Sequence, residues 1–326
     1  MRIKAWAVAC LAVSLAWAMP SSSAPPGWPA SLTIGTASPG GVYYDYGREM
    51  AAILTEGLGI PVTAQSTQGS AQNAVLLEDG TIQLALFTTG TALRAWNGTE
   101  TTGDRKQLRS MRALLPMYGT PFQFVTFEDT GIHSFADLAN KRIGDGPAGG
   151  GSGTFGPLVF EALAIPATLR HGAWSMLGNQ MRSRQLDAMM AAIGAPSPVI
   201  AELEASQPLA FIELTPSEIA TVHKAIPELE ATVMPANTYP SQKQAYNTIG
   251  YYNFAVAHKD LPDDLAYAIV KAFFANHDRM IKTSSSARES VADNAKLITA
   301  IPFHPGAARY YREIGVEIPK RPASTN

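Results

Sequence analysis

Cysteine is all but missing. The single one, Cys10, lies inside an apolar N-terminal run, so no disulfide or Cys-ligated metal can brace the remainder of the chain. An excess of basic residues is missing too. The formal charge is −2, whereas nucleic-acid binding normally needs a clustered basic face. Histidines are few (His133, His171, His223, His258, His277 and His304), and they show neither metal-ligand spacing nor an acid–base cluster. Beyond the N-terminus there is no long apolar run. These absences exclude disulfide scaffolds, nucleic-acid partners and membrane spans, and they leave little machinery for catalysis, for a bound metal or for a cofactor.

The first residues read as a secretion signal. Arg2 and Lys4 form a positive n-region, Ala5 to Leu15 an apolar stretch too short to span a bilayer comfortably, and Ala16-Trp17-Ala18 a small-x-small cleavage site. Residues 1–18 are therefore expected to be a leader, followed by a Ser/Pro-rich linker over 19–30, and the mature chain is expected in the periplasm. Cys10 has apolar residues on both sides, which does not suit a lipoprotein processing site. Arg2 and Lys4 leave with the leader, taking the formal charge from −2 to −4. About 300 remaining residues suit two lobes of about 150 each.

Residues Trp28–Met111 read as βαβαβα. Strand LTIG leads to a helix from Val42 to about Glu56, strand VTAQS to a helix over Ser70–Glu78, and Asp79-Gly80 turns into strand IQLALFTT. The segment Met111–Glu128 is different: two extended runs broken at Gly119–Pro121, which suits a crossing between lobes. A second αβ series begins with a helix over Ser134–Asn140 and strand RIGDG. It continues through helix Thr154–Leu163, strand TLRHG, helix Met176–Gln185, strand DAMMAAIG, helix Ser197–Ala205, strand LAFIEL and helix Pro216–Lys224. A further extended run, Asn247–Val256, can cross back, and a long helix Pro262–Ile281 and a last one near Pro305–Ile314 then pack on the first lobe. Strands alternating with helices of this length indicate parallel sheets.

Three strand–loop–helix junctions stand out, because a helix start presents free N–H groups and the positive end of its dipole. Ser38-Pro39-Gly40-Gly41-Val42-Tyr43-Tyr44 lets backbone approach a ligand and offers two rings with hydroxyls. The same letters also fit a tight βα turn with core tyrosines. Gln68-Gly69-Ser70, with Asn73 one turn on, fits a helix start capped by Ser70, for which a structural role is the commoner one. Gly149-Gly150-Gly151-Ser152-Gly153-Thr154 has no Lys for a nucleotide P-loop, and Thr154 breaks the nucleophile-elbow pattern. The weak dinucleotide match at Gly144–Gly149 has Pro147 within it and a helix start too far on. Four glycines in five positions cost chain entropy that a purely structural turn does not require, which favours an anion-binding loop.

In order and spacing these stretches resemble the TAXI family of solute receptors, the extracytoplasmic binding proteins of one branch of TRAP transporters. IGTASPGGVYY (Ile34–Tyr44), QGSAQN (Gln68–Asn73), DGTIQLAL (Asp79–Leu86) and SFADLANKRIGDGPAGGGSGT (Ser134–Thr154) carry the likeness, with LDAMMAAIGAPSPVIAEL (Leu186–Leu203) and KDLPDDLAYAIVKAFF (Lys259–Phe274). The resemblance implies a type II periplasmic-binding-protein fold: two α/β lobes, 31–117 with 250–326 and 118–249, joined by two crossing strands around a ligand cleft. It implies a non-enzymatic receptor, expected to be a monomer, that binds a small carboxylate such as glutamate or 2-oxoglutarate and delivers it to small and large TRAP permease subunits; of these, a dicarboxylate or keto acid such as 2-oxoglutarate is the expected ligand. Position by position, it points to Ser38, Gly41, Tyr43, Tyr44, Gln68, Ser70, Asn73, Thr89, Ser152, Gly153 and Thr154 as ligand-binding residues. One departure bears on the ligand. Family members often carry an aspartate after the third strand, but this chain reads Phe87-Thr88-Thr89-Gly90-Thr91, which argues against an ammonium-bearing ligand such as glutamate. The rival readings are a secreted enzyme on the same scaffold and a binding protein serving a sensor or another transporter class.

Overall fold

The computed structural model describes residues 25–99 and 106–319. The expected leader, its cleavage site and Cys10 lie outside the described residues, as does the first part of the linker. Short apolar runs form the strands, and runs of helical period form the helices between them. In chain order these are β1 (Leu32–Gly35), α1 (Val42–Leu58), β2 (Val62–Gln65), α2 (Ser70–Glu78), β3 (Leu84–Thr88), α3 (Thr89–Asn97) and β4 (Met111–Phe127). Next come β5 (Arg142–Gly144), α4 (Gly151–Ala162), β6 (Thr168–Arg170), α5 (Trp174–Arg182), β7 (Ala188–Ala192), α6 (Pro198–Ser206), β8 (Leu209–Ile212), α7 (Pro216–Ala225) and β9 (Glu230–Met234). The series closes with β10 (Tyr246–His258), α8 (Asp263–Ala275), α9 (His277–Thr283) and α10 (Pro305–Glu313).

The strands lie in the order β2-β1-β3-β10-β4-β7-β5-β6, with β8 beside β4 and β9 beside β10. Pairing is parallel within β1, β2 and β3 and within β5, β6 and β7. Each parallel set turns its βα loops to one edge, where open α/β sheets bind ligands. Between the sets run β4 and β10, antiparallel to each other. The first part of β4 pairs with β10 and its end, from Phe122, with β7 and β8. Both strands therefore belong to two lobes at once. Each lobe has its own core: α1, α8 and α10 with β1–β3 around Tyr46, Met50 and Phe273 in the first, and α4 and α7 around Phe124, Phe135 and Phe155 in the second.

Five expectations are corrected. The crossing at Gly119–Pro121 is not a break: β4 runs through as one strand of 17 residues. Pro121, which has no N–H to give, stands where the strand changes partner from β10 to β7. The segment Ser134–Asn140 forms only a 3₁₀ turn, Phe135–Leu138. The long C-terminal helix divides at Asn276, whose side chain donates to the carbonyl of Ala272 at 2.9 Å and so competes with the backbone. Strand β9 has no counterpart in the sequence reading; it forms by pairing with the start of β10. Helix α4 begins at Gly151 and not at Thr154.

Candidate ligand cleft between the lobes

The βα loops of both lobes face each other across a small cavity with about 40 Å³ of free volume. Five helices begin at its wall. Gly41, Val42 and Tyr43 open α1, Gly69 and Ser70 open α2, Thr88 precedes α3, Gly150 and Gly151 open α4, and Trp174 opens α5. The first N–H groups of a helix have no intrahelical acceptor. The N-cap positions of α1, α2 and α4 are glycines, Gly41, Gly69 and Gly150, which supply no side-chain cap. Apart from the Ala71 N–H of α2, which donates to the carbonyl of Gly149, these starts have no side-chain cap, and each dipole adds about 0.3–1 kcal/mol toward an anion at an exposed site.

The rest of the wall comes from the crossing strands and from the loop after β7: Tyr118 and Thr120, Tyr251 and Asn253, and Ala192 to Gly194. Among the described residues, no Asp, Glu, Lys, Arg or His lines the cavity. Most of its polar side chains are already engaged. The Tyr43 hydroxyl donates to Asn253 Oδ1 at 2.6 Å, Asn253 Nδ2 to the carbonyl of Tyr118 at 2.7 Å, and the Tyr251 hydroxyl to the carbonyl of Ala192 at 2.9 Å. Burial, and for Tyr43 the nearby Tyr251 as well, pushes these phenols far above their ordinary range, so they stay neutral hydrogen-bonding groups. Burial raises Tyr118 likewise, and its hydroxyl has no partner.

The two lobes touch directly. The Ala71 N–H, in the first turn of α2, donates to the carbonyl of Gly149 at 3.0 Å. A side chain at Gly69 would stand 2.9 Å from the Gly150 Cα, so two glycines permit this approach, and Gly69, at φ 110°, also needs a conformation that L side chains rarely adopt. On one flank, Trp174 packs on Gly40 and Gly41. On the other, Arg94 of α3 meets Glu228 at 3.0 Å and lies over the Phe155 ring at 5.4 Å. The cleft is thus in a closed arrangement.

Of the residues singled out from the sequence, Gly41, Tyr43, Gln68 and Ser70 stand in the cavity wall. Ser70 is not the helix cap; Gly69 is, and the Ser70 hydroxyl accepts from the Thr88 N–H at 3.1 Å. Asn73 is fully buried and spends its amide on the backbone: Nδ2 donates to the carbonyls of Gly35, Thr36 and Leu86. Ser38 lies just outside the wall with a buried, unpartnered hydroxyl. Tyr44 points elsewhere, its ring under Arg48. Thr89 is the first residue of α3 and faces a separate surface recess. Ser152, Gly153 and Thr154 lie inside the first turns of α4, where the Ser152 hydroxyl accepts from the Ala192 N–H at 2.7 Å. It thereby holds α4 against the loop after β7.

Sequence reasoning did not find Tyr118, Thr120, Trp174, Tyr251 or Asn253. Trp174 follows strand β6 and a Gly-containing loop, so the same strand–loop–helix grammar could have found it. The others sit in uninterrupted strands with no motif. Only the register of β4 on β10, which sets Thr120 opposite Tyr251, brings them to the cleft.

Two α/β lobes with two crossing strands and a cleft lined by helix N-termini define a periplasmic-binding-protein fold of the second type. The chain belongs to the NMT1-like family, whose match spans residues 34–315. Solved structures share the fold at low identity. MatC from Rhodopseudomonas palustris with bound malate is 13% identical with a TM-score of 0.57, over 88% of this chain and 98% of that one. The periplasmic binding protein BugD is 14% identical with a TM-score of 0.56, over 90% and 100%. A structure described as a periplasmic transporter is 13% identical with a TM-score of 0.55, over 87% and 92%.

Proposed function

We propose that this protein is a periplasmic solute receptor of the TAXI type, which binds a small organic acid between its lobes and hands it to the small and large subunits of a TRAP-type permease. One observation carries the reading: five helix N-termini, three of them with glycine N-caps, converge on a cavity wall that holds no charged side chain. That wall favours a carboxylate, and it offers an ammonium group no carboxylate partner, in line with a plain or keto acid over glutamate. Bound malate in MatC supports an organic acid. The expected leader supports export, and among the described residues no helix is long and apolar enough to cross a membrane.

Gly41, Tyr43, Gln68 and Ser70 are proposed to touch the ligand. Ser152, Gly153 and Thr154 act by holding the start of α4, and Asn73 by holding the loops around it. The lobes divide at 31–117 with 250–326 against 118–249, which places both changeovers inside β4 and β10. Ligand contacts with both lobes then favour the closed state over an open one, since only the closed state makes both sets. The work is binding and release, with no bond made or broken.

The test is a thermal-shift screen of the mature protein, freed of carried-over ligand by unfolding and refolding, against organic acids, amino acids, sugars, nucleotides and metals. An organic acid should raise the melting temperature with saturation at low concentration. A shift with sugars, nucleotides or metals and none with any acid would overturn the reading.

A further inference from the structure

The composition of the cleft narrows the ligand further. We infer that it is a monocarboxylate with an aromatic or branched apolar body, and that it carries no second charge. This rests on the proposed carboxylate site at the helix N-termini.

In that site a carboxylate meets N–H groups and helix dipoles, with no cation beside it. Rings and aliphatic groups share the wall with those helix starts: Tyr43 and Val42 in α1, Trp174 in α5, and Tyr118, Tyr251 and Ile193 from the strands and the loop after β7. All of these are buried except Tyr43, which is partly buried. Among the described residues no Arg, Lys or His lines this part. The second carboxylate of a diacid would lose its water without gaining a cation, which is unfavourable. The same holds for an ammonium group, since no Asp or Glu lines the wall either. Aromatic walls, in contrast, gain by covering an apolar body, and rings add their edge-to-face attraction. Tyr43 and Tyr118 already meet edge-to-face, with centroids 6.5 Å apart.

Two donors remain. The Tyr118 hydroxyl is buried with no partner, although buried polar groups are nearly always paired. The Trp174 indole nitrogen would stand 3.2 Å from a side chain at Gly41, beside the start of α1. An uncharged oxygen on the ligand, such as the oxo group of a 2-oxo acid, matches these donors without adding charge. The Tyr118 hydroxyl is thus assigned to the ligand's neutral oxygen, and the glycine N-caps to its carboxylate.

The experiment is titration calorimetry of the mature, ligand-free protein with matched acids. Phenylpyruvate, 3-phenylpropanoate and 4-methyl-2-oxopentanoate represent the monocarboxylates; malate, succinate and 2-oxoglutarate the diacids. The best monocarboxylate should bind at least tenfold more tightly than any diacid. Tighter binding of a diacid would overturn this inference and leave the organic-acid receptor standing. Failure of both sets, with the protein folded, would overturn the receptor reading itself. Tyr118→Phe should weaken phenylpyruvate at least fivefold and 3-phenylpropanoate little, because the two differ at the oxo oxygen. Equal losses for both would overturn the role given to the hydroxyl.

Discussion

The ion pair between Arg94 and Glu228 joins helix α3 of the first lobe to the segment after α7 in the second, so removing it should act on closure. The two side chains are 21% and 16% exposed, and their atoms approach to 3.0 Å. At an effective dielectric of about 20, charges at that distance attract by about 5 kcal/mol, most of which is offset by desolvation, leaving about 1 kcal/mol. The guanidinium over Phe155 contributes about 1 kcal/mol more. Both contacts exist only when the lobes meet. Arg94→Ala should therefore disfavour closure by about 2 kcal/mol, or about 30-fold, and weaken ligand binding by up to that factor. Calorimetric affinities for the wild type, Arg94→Ala, Glu228→Ala and the double variant give the coupling between the two residues. Solution scattering of each reads the open population. A coupling near zero, with affinity and scattering unchanged in the single variants, would refute the latch and mean that the two lobes do not separate here.

Three further outcomes follow from the structure. Burial raises the Asp145 carboxyl to about 6, only partly offset by His171 at 2.8 Å. The folded protein therefore holds this proton more tightly than the unfolded chain, and the contribution of Asp145 to stability should fall as pH rises from about 4 to 6. Urea unfolding of wild type against Asp145→Asn across that window should show it, and a flat difference would contradict it. Asn73→Ala strips buried bonds to the carbonyls of Gly35, Thr36 and Leu86, at a cost of about 3 kcal/mol in urea unfolding; a loss under 1 kcal/mol would show that the loops hold themselves. Gly146→Ala puts a methyl group against the Trp174 ring at a position with φ 77°. Ligand affinity should drop at least tenfold, with a change in tryptophan fluorescence, and an unaltered spectrum with full affinity would contradict the placement of Trp174.

The boundary between sequence and tertiary structure is sharp in this protein. Local pattern determines the α/β alternation, since apolar period and glycine punctuation act over a few residues. That was enough for LTIG followed by a helix at Val42, and for Ser70–Glu78. It also marks helix starts at Gly41, Gly69 and the glycine run, because a glycine N-cap is a local feature. It does not say where the glycine run ends and the helix begins. Gly151 and Gly153 read as loop, yet both lie in α4, folded back so closely on the preceding loop that the carbonyl of Pro147 and the backbone of Ala148 leave no room for a side chain at Gly153.

What the local pattern cannot hold is partnership. β9 exists because β10 offers it an edge, and Pro121 is tolerated because β4 changes partners there. Asn73 and Ser152 look like ligand groups by position, but packing turns their side chains to backbone acceptors and donors in adjoining strands and loops. Conversely, Tyr118, Tyr251 and Asn253 are ordinary strand residues until antiparallel register sets them side by side beneath the helix starts. Sequence by itself determined the elements and their anion-facing ends. Only the tertiary structure decided what stands opposite those ends, because facing residues come from strands distant in the chain and are brought together by sheet pairing.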